Sequence, residues 1–177
     1  MIVIKKSKPV SDRIRSAYRD SKDIYDDVIT QESFLSRLYI RFFWSGTDDN
    51  EVAGKVLAYV PDDFRGTILD VPSGTAVFTE EKWKGLAGSK IICLDYSEDM
   101  LEKARKRLGN YEHISFIQGD VGKLPFADRS FDAVISMNGF HAFPDKKRAF
   151  HETRRVLKKG GSFIACFYIF ISRESQK

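Results

Sequence analysis

The stretch TILDVPSGTAVF, Thr67–Phe78, decides the fold of this chain. Its apolar opening is typical of a buried strand, and the strand ends in the carboxylate of Asp70. The small-residue turn Pro72–Ala76 follows, and a helical pattern begins after it. In α/β proteins, ligands bind beyond the carboxyl ends of the strands, where such turns lead into helices. The stretch therefore predicts a strand–turn–helix unit with a ligand site beside Asp70.

From Arg65 onward, apolar runs that are typical of strands alternate with helical patterns. The strands are apolar throughout, which indicates a parallel sheet with both faces covered. The pattern predicts an α/β fold with a doubly wound, mainly parallel sheet. Gly160 and Gly161 are interpreted as the signal that stops the last helix. Strands are predicted at 68–71, 91–94, 114–118, 131–136 and 162–171, and helices at 77–86, from 97 onward and at 145–157.

The first part of the chain follows a different pattern. Residues 34–43 place apolar side chains on one helical face, and residues 51–60 predict a further helix that ends at Pro61. We interpret residues 1–64 as an N-terminal helical cap or lid and residues 65–177 as the sheet-containing core. At this length the two parts are expected to form one compact domain.

Composition argues against several classes of function. The chain has 177 residues, of which 42% are hydrophobic, and 29 Lys and Arg stand against 25 Asp and Glu. The basic residues form no stripe interleaved with aromatic residues, which argues against a nucleic-acid partner. Two cysteines in separate apolar runs make no zinc site, and no metal is predicted. No apolar run reaches the length of a membrane span or a signal peptide, so we predict a cytoplasmic protein with no membrane partner.

Three acidic side chains, Asp70, Asp95 and Asp120, follow three successive predicted strands. Because the carboxyl ends of parallel strands meet at one edge of a sheet, we expect these side chains to surround one site. Asp95 comes 25 residues after Asp70, near the ~20-residue spacing at which an acid accepts hydrogen bonds from ribose hydroxyls. Asp120 can accept a hydrogen bond from an adenine amino group. Each acid alone is also explained as a helix N-cap or a loop carboxylate, but the joint pattern favours an adenosine site.

The loop after the first strand distinguishes between nucleotide cofactors. It is not a P-loop, because no Gly-Lys-Ser/Thr follows Gly74, and Pro72, Gly74 and Val77 match the dinucleotide pattern G-x-G-x-x-G poorly. Glu80 and Glu81 lie near the N-terminus of the next predicted helix, where they would repel a pyrophosphate. A cationic cofactor without phosphate, such as S-adenosylmethionine, suits the loop better. The same two features argue against the alternative of a nicotinamide-dependent oxidoreductase.

Four stretches resemble the successive motifs of a known family: ILDVPSGTAVFT, IICLDYSEDMLEKAR, ISFIQGDVGKLPFADRSFDAVISMNGFHAFPD and AFHETRRVLKKGGSFIA. In order and spacing, from about residue 66 to about residue 167, they look like class I S-adenosylmethionine-dependent methyltransferases, a Rossmann-like family, of the small-molecule type. The resemblance implies in-line methyl transfer from S-adenosylmethionine to an unidentified small-molecule acceptor, with S-adenosylhomocysteine as the product. The cofactor-binding residues that it implies are Asp70, Pro72, Gly74, Thr75, Asp95, Tyr96, Met100, Asp120, Val121 and Asn138.

Two residues depart from the family's loop pattern, Asp-x-Gly-x-Gly-x-Gly. Pro72 and Ala76 stand where the outer glycines are expected. Pro72 excludes a positive φ and lacks a backbone donor. The methyl group of Ala76 is expected to crowd the ligand near the start of the helix.

Methyl transfer from a sulfonium needs alignment of nucleophile, methyl group and sulfur, and a general base helps only if the acceptor arrives protonated. His141, in the loop after the fourth strand, is the candidate base. Phe140 and Phe143 beside it also favour a partly buried, structural histidine. Tyr25 is a second candidate, which would reach the site as part of the N-terminal lid.

The family core continues with a helix and two more strands beyond the fifth strand, and the resemblance implies that this sequence lacks them. Residues 162–171, SFIACFYIFI, would then form an apolar edge strand, which is a liability. We expect a second copy in a homodimer, the N-terminal helices or aggregation to cover this edge. A non-catalytic or truncated S-adenosylmethionine-binding module is therefore the alternative to an active methyltransferase.

Overall fold

Five parallel strands form the sheet of the computed structural model, which describes residues 49–140 and 143–167. Helices cover both of its faces. In chain order, the elements are α1 (Asp49–Leu57), β1 (Thr67–Asp70), α2 (Glu80–Gly85), β2 (Lys90–Asp95), α3 (Glu98–Leu108), β3 (Ile114–Gln118), β4 (Phe131–Met137), α4 (Lys146–Val156) and β5 (Leu157–Cys166).

The order of the strands across the sheet is β3-β2-β1-β4-β5, and every neighbouring pair is parallel. The chain moves outward from β1 through β2 to β3 and then crosses back to β4. The direction of winding therefore reverses between β1 and β4, which is the point where open α/β sheets bind their ligands. This topology confirms the predicted α/β fold with a doubly wound, parallel sheet.

The alternation of side chains along each strand divides the core in two. Ile68 of β1 packs in a cluster on one face with Trp83 of α2, whereas its neighbour Leu69 packs on the other face with Val156 of α4. All four of these side chains are fully buried. The apolar character of the strands is therefore explained, because both faces of the sheet are covered.

Helix α3 follows its sequence signals closely. The hydroxyl of Ser97 accepts a hydrogen bond from the amide of Met100 at 3.4 Å and caps the helix. Met100, Leu101, Ala104 and Leu108 form its buried face, as their spacing predicts. Because α3 is fixed at its N-terminus and along one face, it holds the end of β2 in place.

Helix α2 begins later than predicted. The prediction placed its start at residue 77, but residues 71–79 form turns and the helix begins at Glu80. Ala76 has a φ of 60°, which no residue of a right-handed helix can adopt, so the chain turns once more before the helix starts. The turn between β1 and α2 is therefore longer than the sequence pattern indicates.

The interpretation of Gly160 and Gly161 as a helix stop is wrong. Helix α4 ends at Val156, and β5 starts at the next residue and runs through both glycines. The register between β4 and β5 shifts between Phe131 and Ala133, so the glycines occupy an irregular stretch of the ladder. Glycine is common where a strand passes a bulge.

The N-terminal cap and the sheet edge are described only in part. The helix predicted at residues 51–60 is α1, whose Ala53 and Leu57 join the core and which contacts β5. Within the described part of the chain, β5 pairs only with β4. The amphipathic segment 34–43 and the end of the last predicted strand lie outside the described residues, and the homodimer stays a prediction.

Within residues 49–140 and 143–167, no helix is long and apolar enough to cross a bilayer.

The packing of α3 is tested by Leu101→Ala. Leu101 is fully buried, so removing its side chain leaves a cavity and should lower the free energy of unfolding by about 2–5 kcal/mol in urea denaturation. Glu102→Ala is the matched control, because Glu102 is the exposed neighbour on the same helix, and should change stability by about 0.5 kcal/mol or less. Equal effects of the two substitutions would contradict the assignment of the buried face.

Candidate functional site

A small cavity of about 40 Å³ lies at the carboxyl ends of β1, β2 and β4. It therefore occupies the point where the winding direction of the sheet reverses. Two carboxylates line it, and the described residues around it include no Lys, Arg or His. Its lining residues are Asp70, Pro72, Ser73, Gly74, Thr75, Val77, Phe78, Thr79, Asp95, Met137 and Asn138.

Asp70 is the most buried acid of the cavity, with 1% of its surface exposed. Its Oδ2 accepts hydrogen bonds from the hydroxyl of Thr79 at 3.0 Å and from the indole nitrogen of Trp83 at 2.8 Å. Its Oδ1 has no hydrogen-bond partner among residues 49–140 and 143–167, and we call it the open oxygen. Burial raises the pKa of Asp70 to about 7, although the bonds from Trp83 and Thr79 lower it; the nearby Asp95 raises it further.

Asp95 connects the loop after β1 to the start of α3. Its Oδ2 accepts a hydrogen bond from the amide of Gly74, and its Oδ1 accepts one from the amide of Ser97, both at 2.8 Å. The side chain is 3% exposed, and burial raises its pKa, against the effect of these backbone bonds. One carboxylate thus sets the position of the cofactor-type loop relative to β2.

Two glycines shape the loops around the cavity. Gly74 has a φ of 55°, and a side chain there would meet nothing within 4 Å, so the loop is open to a ligand at this point. Gly139 permits the opposite, a close approach, because a Cβ on it would lie 2.1 Å from Cδ of Pro72. The loops after β1 and β4 can touch only because residue 139 is a glycine.

Asn138 lies between β4 and β5 at the rim of the cavity. Its φ of 52° is in the left-handed region, which asparagine tolerates better than most residues. Its amide donates to the carbonyl of Cys166 at 2.9 Å, and its Oδ1 lies 3.4 Å from the Cys166 thiol. These bonds hold the end of β4 to the end of β5.

The predicted effect of Ala76 is corrected by its position. Ala76 does not line the cavity: it is 2% exposed and packs in the core cluster that contains Trp83. Its methyl group therefore points to the protein interior rather than to a ligand. Its φ of 60° instead imposes backbone strain, of about 1–2 kcal/mol for a residue with a Cβ.

The charges of Glu80 and Glu81 are also paired away from the cavity. Glu80 accepts hydrogen bonds from Lys84 at 2.7 Å and Arg107 at 3.1 Å, and Glu81 accepts one from Lys84 at 2.9 Å. Neither glutamate lines the cavity. Their local charge is therefore a weaker argument against a phosphate than the sequence indicated.

The residues implied by the family resemblance fall into two groups. The first group lines the cavity: Asp70, Pro72, Gly74, Thr75, Asp95 and Asn138. The second group, which does not line it, consists of Tyr96 and Asp120, which are exposed, and Met100 and Val121, which are buried in the core. Asp120 accepts a hydrogen bond from the amide of Gly122 at 2.7 Å and so shapes its own turn. The candidates His141 and Tyr25 lie outside the described residues.

Sequence reasoning missed Thr79 and Trp83, which donate to Asp70. The signal was present in their spacing, since residues four apart lie on the same side of a helical segment. Phe78 and Met137 were also missed, and they supply part of the apolar lining. No pattern marks these two in the sequence, because apolar residues beside a strand end are equally typical of the core.

A second, larger cavity of about 600 Å³ lies between α1 and the turn before α2. Val77 and Phe78 line both cavities, so these two side chains form the wall between them. The larger cavity has room for a small organic molecule. Its other lining residues are Asn50, Ala53, Gly54, Leu57, Ala58, Val60, Pro61, Asp62, Glu81 and Lys82.

Comparison with known proteins gives one family. The family described as "Methyltransferase domain" matches residues 69–165. The demethylmenaquinone methyltransferase of Chlorobaculum parvum is 34% identical over 151 residues, which cover 84% of this chain and 58% of the relative. That of Thermotoga maritima is 42% identical over 97 residues, which cover 55% of this chain and 41% of the relative.

A solved structure shares the fold of this chain. The crystal structure of the PH0226 protein from Pyrococcus horikoshii aligns with a TM-score of 0.61 and 31% identity, covering 86% of this chain and 62% of that one. The fold of the sheet and its helices is thus shared along most of the described chain. The chain spans about half the length of the curated relatives it matches.

The raised pKa of Asp70 predicts a dependence of stability on pH. The pKa rises from 3.8 to about 7 on folding, so between these values the folded state binds a proton that the unfolded state releases. Stability from the protonated carboxyl is fully present below pH 4 and is lost as the pH rises through about 7. Asp70→Asn removes this titration. The free energy of unfolding of the variant minus that of wild type should therefore increase by roughly 1.4 kcal/mol for each unit by which the pH rises between 5 and 7.

Urea denaturation at several pH values measures this difference. Asp132→Asn is the control, because Lys158 lowers the pKa of Asp132 and the group is ionised in both states above pH 5. Its curve should be displaced from that of wild type without a change of slope. Parallel curves for Asp70→Asn and wild type would show that Asp70 does not titrate in this range.

Proposed function

This chain belongs to the methyltransferase domain family, whose cofactor is S-adenosylmethionine, and we propose that it binds this cofactor beside Asp70 and transfers its methyl group to a small-molecule acceptor. One observation carries the proposal. The cavity where the winding of the sheet reverses is lined by two buried carboxylates, and its described lining residues include no basic side chain. A buried acid with an unpaired oxygen is unfavourable unless a donor or a cation completes it. S-adenosylmethionine carries an ammonium and a sulfonium, and both are cationic.

We assign the methionine end of the cofactor to Asp70. The cavity volume of about 40 Å³ is well below the roughly 300–1,000 Å³ of a typical small-molecule site. It therefore suits one terminal group, such as an ammonium, and the rest of the cofactor would extend over the outer ends of the strands. The open oxygen of Asp70 is the acceptor for that ammonium. Gly74, with open space beside its Cα, allows the ligand to approach the loop backbone.

We assign the adenosine end to the carboxyl ends of β2 and β3. The amides of Gly74 and Ser97 donate to different oxygens of Asp95, and a carboxylate offers about four acceptor positions, so we propose that it also accepts a bond from a ribose hydroxyl. Tyr96 and Asp120 are exposed beyond it and are proposed to face the ribose and the adenine amino group. Met100 and Val121 are proposed to support the ring from the core side.

The cofactor, when bound, supplies a methyl group on a good leaving group, so the protein has little chemistry to perform. Its residues would bind the two ends of the cofactor, orient the sulfonium and exclude water from the line of attack. Val77 and Phe78 form the apolar wall towards the larger cavity. We propose that His141 acts as a general base for a protonated acceptor and that Tyr25 contacts the acceptor, although both lie outside the described residues.

The acceptor that we propose is the reduced form, a quinol, of a demethylated quinone of the kind named by the relatives. Two of them, at 34% and 42% identity, are demethylmenaquinone methyltransferases. The larger cavity, at about 600 Å³, is of a size that suits a bicyclic aromatic head group. It shares Val77 and Phe78 with the cofactor cavity, so an acceptor there would lie next to the cofactor, and in-line transfer would require the Phe78 side chain to turn out of the path between them.

Cofactor binding is tested by calorimetric titration with S-adenosylmethionine and S-adenosylhomocysteine. The wild-type chain should bind both, and Asp95→Ala should weaken binding at least tenfold, because it removes the ribose acceptor and frees the Gly74 loop. Asp63→Ala, an exposed acid outside both cavities, is the control and should bind as wild type does. A folded wild-type chain that binds neither compound would overturn the proposal.

Methyl transfer is tested with a short-chain demethylmenaquinone, reduced in the assay, and labelled S-adenosylmethionine. Label should pass to the reduced demethylmenaquinone. It should not pass to a fully methylated menaquinone, whose ring has no free position for a methyl group. Cofactor binding without transfer to this or any other small acceptor would favour the non-catalytic module. Transfer to another acceptor class would keep the methyltransferase and reject the quinone.

A further inference from the structure

The two oxygens of Asp70 have very different surroundings. Oδ2 accepts two hydrogen bonds, from Thr79 and from Trp83, whereas the open oxygen accepts none within the described chain. The carboxylate is 1% exposed, so it has almost no contact with bulk solvent. An unsatisfied buried oxygen is unfavourable, and such an atom in a native protein calls for a functional explanation.

Both donors are held firmly by their own surroundings. Trp83 is fully buried, and its carbonyl oxygen lies 2.9 Å from Nε2 of His113. Thr79 is 2% exposed, and its carbonyl accepts a bond from the amide of Trp83 at 2.9 Å. Neither donor can follow a rotation of the carboxylate without displacing core side chains.

This arrangement selects one orientation of the carboxylate. A carboxylate can rotate about its last bond, and its two oxygens then exchange places. Because two fixed donors lie on one side, the ionised group keeps one oxygen toward α2 and the other toward the cavity that Asp70 lines. The indole N–H of Trp83 donates to Asp70 from outside the cavity, since Trp83 is not one of the lining residues.

We propose that Trp83, assisted by Thr79, is a positioning residue that presents the open oxygen of Asp70 to the ammonium group of the ligand. Trp83 then determines specificity without touching the ligand: it favours compounds with an amino-acid end over those with adenosine alone. The inference rests on the proposed function, because it takes the occupant of the cavity to be the methionine part of S-adenosylmethionine.

The same bond influences when Asp70 is charged. An N–H that donates to a carboxylate favours the ionised form and so lowers the pKa, and Trp83 is the larger of the two donors in this effect. The titratable groups that face Asp70 from β2 are Asp95 and Cys93. The charge of Asp95 raises the pKa of Asp70, and the charge of Asp70 in turn raises the pKa of Cys93. Without the indole N–H, Asp70 should take up its proton at a higher pH, and binding of an ammonium should require a higher pH.

The experiment compares two ligands on Trp83→Phe, which keeps an aromatic ring but removes the N–H donor. S-adenosylmethionine carries the ammonium, and 5′-methylthioadenosine shares its adenosine and sulfur but lacks the amino-acid end. At pH 7, affinity for S-adenosylmethionine should fall at least tenfold, while affinity for 5′-methylthioadenosine should change less than twofold. The pH at which S-adenosylmethionine binding is half-maximal should move upward in the variant.

Thr79 provides matched variants. Thr79→Val removes the hydroxyl at nearly constant volume and should shift the ratio of the two affinities in the same direction. Thr79→Ser keeps the hydroxyl and should retain the wild-type ratio. Equal weakening of both ligands by Trp83→Phe, or equal behaviour of the Val and Ser variants, would reduce Trp83 and Thr79 to structural residues and overturn the inference.

A measurement on the wild-type chain covers a variant that does not fold. The indole ¹H–¹⁵N resonance of Trp83, distinguished from that of Trp44 by Trp44→Phe, should titrate with the same midpoint as S-adenosylmethionine binding. A resonance that is unchanged between pH 5.5 and 8 would overturn the inference. If the wild type binds neither ligand, the proposed function itself fails; if it binds both and only the ratio is insensitive to Trp83, the function stands and the positioning role falls.

Discussion

The hydrogen bonds from Thr79 and Trp83 to the buried carboxylate of Asp70 join the first strand to the helix that follows it. Without these bonds, strand and helix would be held by the run of turns and by apolar packing such as that of Ile68 with Trp83, and a carboxylate buried to this degree would be strongly unfavourable. Because the two donors lie one helical turn apart, they also set the rotation of α2 against the sheet. The burial of Trp83 and the orientation of Asp70 thus depend on this contact, whereas Asp95 holds the loop through Gly74.

A second buried acid, Asp95, lines the same cavity as Asp70. Asp95 lies across the cavity and uses its two oxygens to hold backbone amides of Gly74 and Ser97. Its charge raises the pKa of Asp70, as does burial. Among the described residues, the lining of the cavity therefore carries two acids and no basic side chain. The cavity lies at the carboxyl ends of β1 and β4, between which the winding direction of the sheet reverses. A cationic ligand would balance the charge of the two acids, which is the physical reason for linking this geometry to a sulfonium cofactor.

Much of the candidate site could be predicted from sequence because its residues are contiguous with strand ends. Asp70, Gly74 and Asp95 were identified from their places after apolar runs, and the register of the parallel strands does bring them together. The behaviour of Ala76 could not be predicted, because the direction of its methyl group depends on a positive φ that arises from the whole turn. Met100 and Asp120 follow strand ends but do not line the cavity, since Met100 is buried in the core and Asp120 shapes its own turn, so their contacts with a cofactor stay a prediction.

By itself the sequence determined the class of fold, since apolar strands alternating with helices leave few arrangements other than a doubly wound parallel sheet. It also determined the caps and faces of individual helices, such as Ser97 and Leu101 in α3, because these depend on neighbours along the chain. Only the tertiary structure decided that the indole of Trp83 reaches Asp70, that Gly139 touches Pro72, and that β5 runs through two glycines. The first two are contacts between segments distant in sequence, and the third is a choice between a turn and a strand that the local sequence allows equally. Tertiary packing decides such cases through burial, which no local pattern of residues contains.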